Sequence, residues 1–157
     1  MQKKYLILVS LILSPMAVST AVATPKNVII IRHADKVPGR MFLSAKGYER
    51  AAALPYYFLE TPLYNTPPIS SIFAVGLGDL GGPQESARPI ETATPTAVRY
   101  KLTINSNFKQ GDHKALVQEI LTNKKYDGKT VLVCWEHKEI HKVIEALGGG
   151  YGTGLAR

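Results

Sequence analysis

The sequence predicts an α/β protein, a three-layer α/β/α sandwich with a largely parallel central sheet. Three observations lead there. Short runs at Asn27–Arg32, Ser70–Val75 and Lys129–Trp135 are apolar, carry β-branched and aromatic residues, and have strand length. Stretches of helical character lie between them, and parallel strands need such crossovers. Two of the runs end in the pairs Arg32-His33 and Glu136-His137. The carboxyl ends of strands are where open α/β sheets bind their ligands.

The elements follow in order. Asn27–Arg32 is read as a buried strand, because its Val-Ile-Ile-Ile run has no polar alternation. A loop leads to Ser44, a plausible helix N-cap, and to an Ala-rich helix through Leu54 that Tyr56–Leu59 can prolong beyond Pro55. Thr61–Pro68 is a turn-rich connector before the strand Ser70–Val75. Gly76–Gln84 is rich in glycine but lacks the Lys-Ser/Thr ending of a phosphate-binding P-loop, so it is read as a flexible entry to the next helix. That helix starts near Arg88, accepts Pro89 in its first turn and runs through Ala97 with a bend expected at Pro95. Lys101–Asn105 supplies a short strand. Asp112 is the expected cap of a helix whose Leu116, Ile120 and Leu121 share one face. Asp127-Gly128 turns the chain into Lys129–Trp135, and a last helix from about Lys138 to Leu147 ends at Gly148.

Both ends are read differently. Residues 1–23 combine a basic start, an apolar stretch and the small-residue site Ala21-Val22-Ala23, the order of a secretory signal peptide cut after Ala23. The expected location is therefore secreted or periplasmic, without stable membrane insertion after cleavage. The domain is assigned to residues 24–147. In 148–157 five of the ten residues are glycine, which predicts a disordered tail rather than a strand. The chain carries 19 Lys and Arg against 12 Asp and Glu, a formal +7, of which the leader holds two lysines. That balance favours anionic partners. No basic run is interleaved with aromatics, so nucleic acid is not expected. The single cysteine, Cys134, excludes an intramolecular disulfide and is expected in the core.

Arg32-His33 places a nucleophile or base beside a permanent cation, which suits a phosphate. Ser86-Ala-Arg88 offers a second guanidinium, and Val131–His137 brings a second imidazole at another strand end. A neutral imidazole keeps a free lone pair near neutral pH and can take up a phosphoryl group. Paired guanidinium donors can grip the phosphoryl oxygens, helped by the start of the helix at Arg88.

This ordered set, Arg32-His33, then Arg88, then His137, resembles the histidine phosphatase superfamily, the phosphoglycerate mutase-like proteins. Ala34 stands where the family's Arg-His-Gly signature has glycine. Ser86-Ala-Arg-Pro-Ile-Glu-Thr-Ala93 looks like its second-arginine segment. Lys36 and Pro38 give Arg32–Pro38 a likeness to the acid phosphatase and phytase motif, where the position of Lys36 contacts phosphate. The chain is too short for that branch's helical insert, so the compact branch is the nearer match. The resemblance implies a phosphoglycerate mutase-like fold and a metal-independent, cofactor-free phosphomonoesterase. His33 is then the phosphohistidine nucleophile, His137 a stabiliser of the transition state, and Arg32, Arg88 and Lys36 the phosphate ligands. The substrate is a phosphorylated small molecule or a phosphoprotein. The family continues with another strand where this chain has its glycine-rich tail, which reads either as a disordered natural tail or as the end of a C-terminally shortened member.

Three points stay open. The general acid is assigned to Glu136, on the expectation that partial burial keeps it protonated, with Asp35 and Glu91 as weaker candidates. His137 and His141, four residues apart, suggest a rival zinc site with His33 as third ligand, although Lys138 stands where zinc proteases carry glutamate. The same cationic pocket also suits a non-catalytic envelope protein that only binds a phosphorylated ligand.

Overall fold

The structure, a computed structural model, describes residues 25–60, 68–77 and 86–150. The expected signal peptide, most of the 61–68 connector and of the glycine-rich loop, and the tail from residue 151 lie outside the described residues. Strand β1 is Asn27–Arg32, helix α1 Ala45–Glu60, β2 Ile69–Ala74, α2 Arg88–Tyr100, β3 Ile104–Asn105, α3 His113–Thr122, β4 Thr130–Trp135 and α4 Ile140–Ala146. The four described strands form one all-parallel sheet in the order β1-β4-β2-β3. The α/β class and the parallel sheet expected from the sequence are therefore present.

Alternation along β4 sorts the core into two layers. Val131, Val133 and Trp135 join Leu116, Val117 and Ile120 of α3 and Val143 of α4. Leu132 and Cys134 face the other way, onto Ala93 and Ala97 of α2, with Phe58 of α1 packed alongside. Helices thus pack against both kinds of β4 residue, an arrangement compatible with a three-layer sandwich. Every residue of β4 is buried, because the strand has a neighbour on each edge and helices on each face. Burial pushes the Cys134 thiol up to about 12, so it serves the core as a small apolar group.

Several expectations need correction. β1 is half-buried rather than buried, since among the described residues it pairs only with β4 and lies at the sheet edge. Asp112 precedes α3 but makes no side-chain cap; its carboxylate turns back to accept from Lys109 N. The last helix begins at Ile140, because residues after Glu136 first form a turn closed by Glu139 N on Glu136 O. Ser44 does cap α1, accepting from Gly47 N at 3.1 Å. Gly47 itself is required by close approach: a Cβ there would stand 2.1 Å from the Asp35 carbonyl oxygen.

Two predictions follow from this packing. Leu132→Ala, in the middle of β4, should destabilise by about 2–5 kcal/mol in urea unfolding, whereas Val98→Ala, 73% exposed, should stay within about 0.5 kcal/mol. The second concerns acid. Lys125, 3.0 Å from Glu119, together with Asn123 and Tyr126, holds the Glu119 carboxyl below its ordinary 4.5, against an opposing push from burial. A lowered folded-state pKa gives stability that is present above the unfolded value and lost as pH falls through the folded one. The stability gap between wild type and Glu119→Gln should therefore be widest near neutrality and close in acid. A gap independent of pH would show that ionisation of Glu119 contributes nothing.

Candidate active site

The site forms where two parallel strands end together. β1 and β4 run side by side with Arg32 opposite Trp135, so the residues that follow, His33 and Glu136, emerge level. The helices that come next pack with opposite faces of the sheet, α1 beside the α2 layer and α4 in the α3 layer. Such a divergence opens a crevice at the strand ends. Here it is a cleft of about 310 Å³ lined by Arg32, His33, Ala34, Asp35, Lys36 and His137.

His33 is only 3% exposed. Its Nδ1 lies 2.7 Å from the Ala34 carbonyl oxygen, which can only accept, so Nδ1 carries the proton and donates. The neutral ring then presents a bare lone pair at Nε2, a buried atom with no hydrogen-bond partner. Burial is the largest influence on this imidazole and lowers its pKa; Arg88 and Arg32 add to the lowering, while the Ala34 bond and Glu136 oppose it. The neutral form is the favoured one.

Glu136 sits between the two imidazoles. His137 Nδ1 lies 2.6 Å from its Oε2, and His33 Nε2 lies 3.6 Å from its Oε1. Burial alone would raise this carboxyl, as the sequence suggested. His137, the Lys138 N–H, His33 and Arg88 together outweigh that push and lower it. The expectation that burial keeps Glu136 protonated is therefore corrected: its surroundings favour the ionised form.

The cations differ in setting. Arg88, first residue of α2, donates from Nε to Ser86 Oγ, while its Nη1 is buried without a partner. Arg32 and Lys36 are exposed at the rim of the cleft. Lys36 is also tied by its backbone into an antiparallel bridge with Leu43. Of the weaker acid candidates, Asp35 turns its carboxylate to Arg50 at 3.8 Å. Glu91 accepts from Leu43 N at 2.9 Å and Tyr48 Oη at 2.8 Å, which anchors the 36–43 loop to α2.

His141 is elsewhere. Because His137 falls in the turn before α4, the two histidines do not share a helix face, and His141 lines a separate cleft with His113, Lys142 and Glu145. The zinc set expected from His33, His137 and His141 is not assembled. His33, Glu136 and His137 instead offer three ligand atoms within 4.8 Å of one another.

Two residues escaped sequence reasoning. Ser86, buried, fixes the Arg88 guanidinium; the hydroxyl two residues before the arginine is a signal visible only once the arginine is suspected. Thr92, 1% exposed, accepts from Ala34 N at 2.9 Å and donates to the Arg88 carbonyl at 2.7 Å. It joins the backbone beside His33 to the first turn of α2. A threonine one helical turn after an arginine carries no such message by itself.

Compared with protein-family models the chain gives no match, and compared with curated proteins it gives none.

Thr92→Val keeps the shape but leaves the Ala34 N–H buried and unpaired, so it should cost about 1–3 kcal/mol in denaturant unfolding. Thr94→Val, at an exposed position on the same helix, should cost far less. Equal effects would mean that the Ala34–Thr92 bond does not hold the site to α2.

Proposed function

We propose that the chain is an exported, metal-independent phosphomonoesterase of the histidine phosphatase type, working through a phosphohistidine on His33. One observation carries the reading: two buried polar atoms lack hydrogen-bond partners, the lone pair of His33 Nε2 in the cleft and the donor Nη1 of Arg88, whose charge acts on His33. Burying such groups unpaired costs about 1–3 kcal/mol each. A phosphoryl group satisfies both, offering oxygens to the arginine and an electrophilic phosphorus to the imidazole.

The chemistry runs in two displacements. A phosphomonoester settles with its oxygens on Arg88, Arg32 and His137, with Lys36 at the rim. Its charge beside Glu136 raises that carboxyl, which takes the proton brought in by the monoanionic ester. His33 Nε2 attacks phosphorus, the bond to the ester oxygen breaks, and Glu136 delivers its proton to the departing oxygen. Water then attacks the phosphohistidine and gives a proton back to Glu136. The nitrogen–phosphorus bond breaks, inorganic phosphate takes the proton from Glu136 as it leaves, and the His33 lone pair and the Glu136 carboxylate are restored. Small phosphorylated molecules and phosphoproteins present the same group to this machinery.

The ionised resting state of Glu136 favours a second reading, an envelope protein that binds a phosphorylated ligand without turnover. A phosphatase screen on the mature chain, with and without chelator, separates them: turnover insensitive to chelator supports the enzyme, and phosphate binding with no turnover supports the binder. For the enzyme, a rapid alkaline denaturing quench, in which a phosphohistidine survives, should trap label on His33. His33→Ala should lose nearly all activity and His137→Ala about 10²–10³-fold. Glu136→Gln should harm esters with poor leaving groups far more than activated aryl phosphates. Because burial lowers His33, the nucleophile stays unprotonated as pH falls past the ordinary imidazole value of 6.5, and kcat/KM should fall only below that lowered pKa. A decline already complete at 6.5, or label on another residue, would remove His33 from the role.

A further inference from the structure

We infer that His33, Glu136 and His137 form a zinc-binding site, with the fourth position open to the cleft, through which Zn²⁺ reversibly withdraws the His33 lone pair. The metal site stands on geometry, while its antagonism toward catalysis rests on the phosphatase reading above.

The donor set is two imidazole nitrogens and one carboxylate oxygen, with ligand atoms all within 4.8 Å of one another. That is the chemistry of a three-ligand zinc centre with an open position, and the side chains draw together to bring all three donors to about 2.0–2.2 Å from the metal. His33 is already arranged as a zinc ligand would be. Its Nδ1–H is fixed on the Ala34 carbonyl oxygen, and Nε2 is buried, unpartnered and turned toward Glu136. A backbone carbonyl on the far nitrogen is the usual partner that orients a metal-bound imidazole. His137 is exposed, and with its ring proton on Nε2 rather than Nδ1 it offers the Nδ1 lone pair beside Glu136. Three coordinate bonds then form from three existing lone pairs, and no oxidation or reduction is involved.

The surroundings decide what kind of site this is. Arg88 and Arg32 act electrostatically on His33, and Arg88 also acts on Glu136, so a dication meets repulsion along with its ligands. A resident structural metal would be poorly served there. Reversible occupancy is the natural outcome, in competition with a phosphoryl group that wants the same arginines and the same nitrogen. Hard cations such as Mg²⁺ and Ca²⁺ prefer oxygen ligands and should not enter.

The test uses the untagged mature chain. Isothermal titration with ZnCl₂ should show one zinc per chain and no uptake of Mg²⁺ or Ca²⁺. His33→Ala, Glu136→Gln and His137→Ala should each weaken zinc by roughly a hundredfold, since even the outer partners of a ligand are worth about 10- to 100-fold. His113→Ala and His141→Ala, in the separate cleft, should leave binding unchanged. Cobalt substitution of the wild type should give the intense visible bands of four-coordinate Co²⁺, a readout that does not depend on any variant folding. No zinc uptake, six-coordinate cobalt, or loss of binding in His141→Ala would overturn the site. Zinc should also block the alkali-stable, acid-labile phosphate labelling of His33. Zinc bound at the trio in a chain that hydrolyses no ester would keep the site and defeat only the phosphatase reading. Hydrolysis indifferent to zinc bound elsewhere would do the reverse.

Discussion

The parallel pairing of β1 with β4 is the constraint on which everything else depends. Its register puts Arg32 opposite Trp135 and brings His33 N onto the Trp135 carbonyl oxygen, so two chain segments about a hundred residues apart deliver their polar ends at one height. A slip of one residue would turn Val131, Val133 and Trp135 out of one core layer and Leu132 and Cys134 out of the other. The register is therefore fixed by apolar packing on both faces, and the site inherits that precision without stabilising itself. A loop-built site would have no comparable reference.

Within that frame one short bond, His33 Nδ1–H to the Ala34 carbonyl, decides the chemistry. It selects the tautomer, aims the lone pair of Nε2, and costs the ring nothing beyond its own neighbour's backbone. Ala34 is held in turn by Thr92, and Thr92 by the first turn of α2, whose Arg88 is steadied by Ser86. Nucleophile and cation are thus two ends of one hydrogen-bonded chain. Burial lowers the imidazole pKa, and the neighbouring arginines favour the uncharged ring further. The arrangement favours any electrophile that brings negative charge with it.

Much of this architecture was legible in the sequence. β4 announced itself through an unbroken apolar run, and it is one of the two described strands with neighbours on both edges. β1 carried the same signal and lies at the edge among the described residues, because a run of isoleucines reports burial by helices as readily as burial by strands. The start of α4 was misplaced by two residues for a local reason. The Glu136 carboxylate accepts from Lys138 N, and its carbonyl accepts from Glu139 N and Ile140 N, so this one residue holds the turn before the helix can begin. Moving His137 off the helix is what separates it from His141, and spacing alone could not foresee it.

Glu136 shows where linear reasoning stops. Its half-burial was foreseeable from its place after a buried strand, and burial by itself does push a carboxyl upward. The sign reverses because two imidazoles, a backbone N–H and a guanidinium converge on it from β1, β4 and α2. That convergence exists only in three dimensions. It also ties the charge of this carboxylate to what fills the crevice: a cation keeps it ionised, and an anion invites a proton onto it. The same three side chains can therefore serve as metal ligands or as a nucleophile with its acid, and the charge of the occupant decides between them.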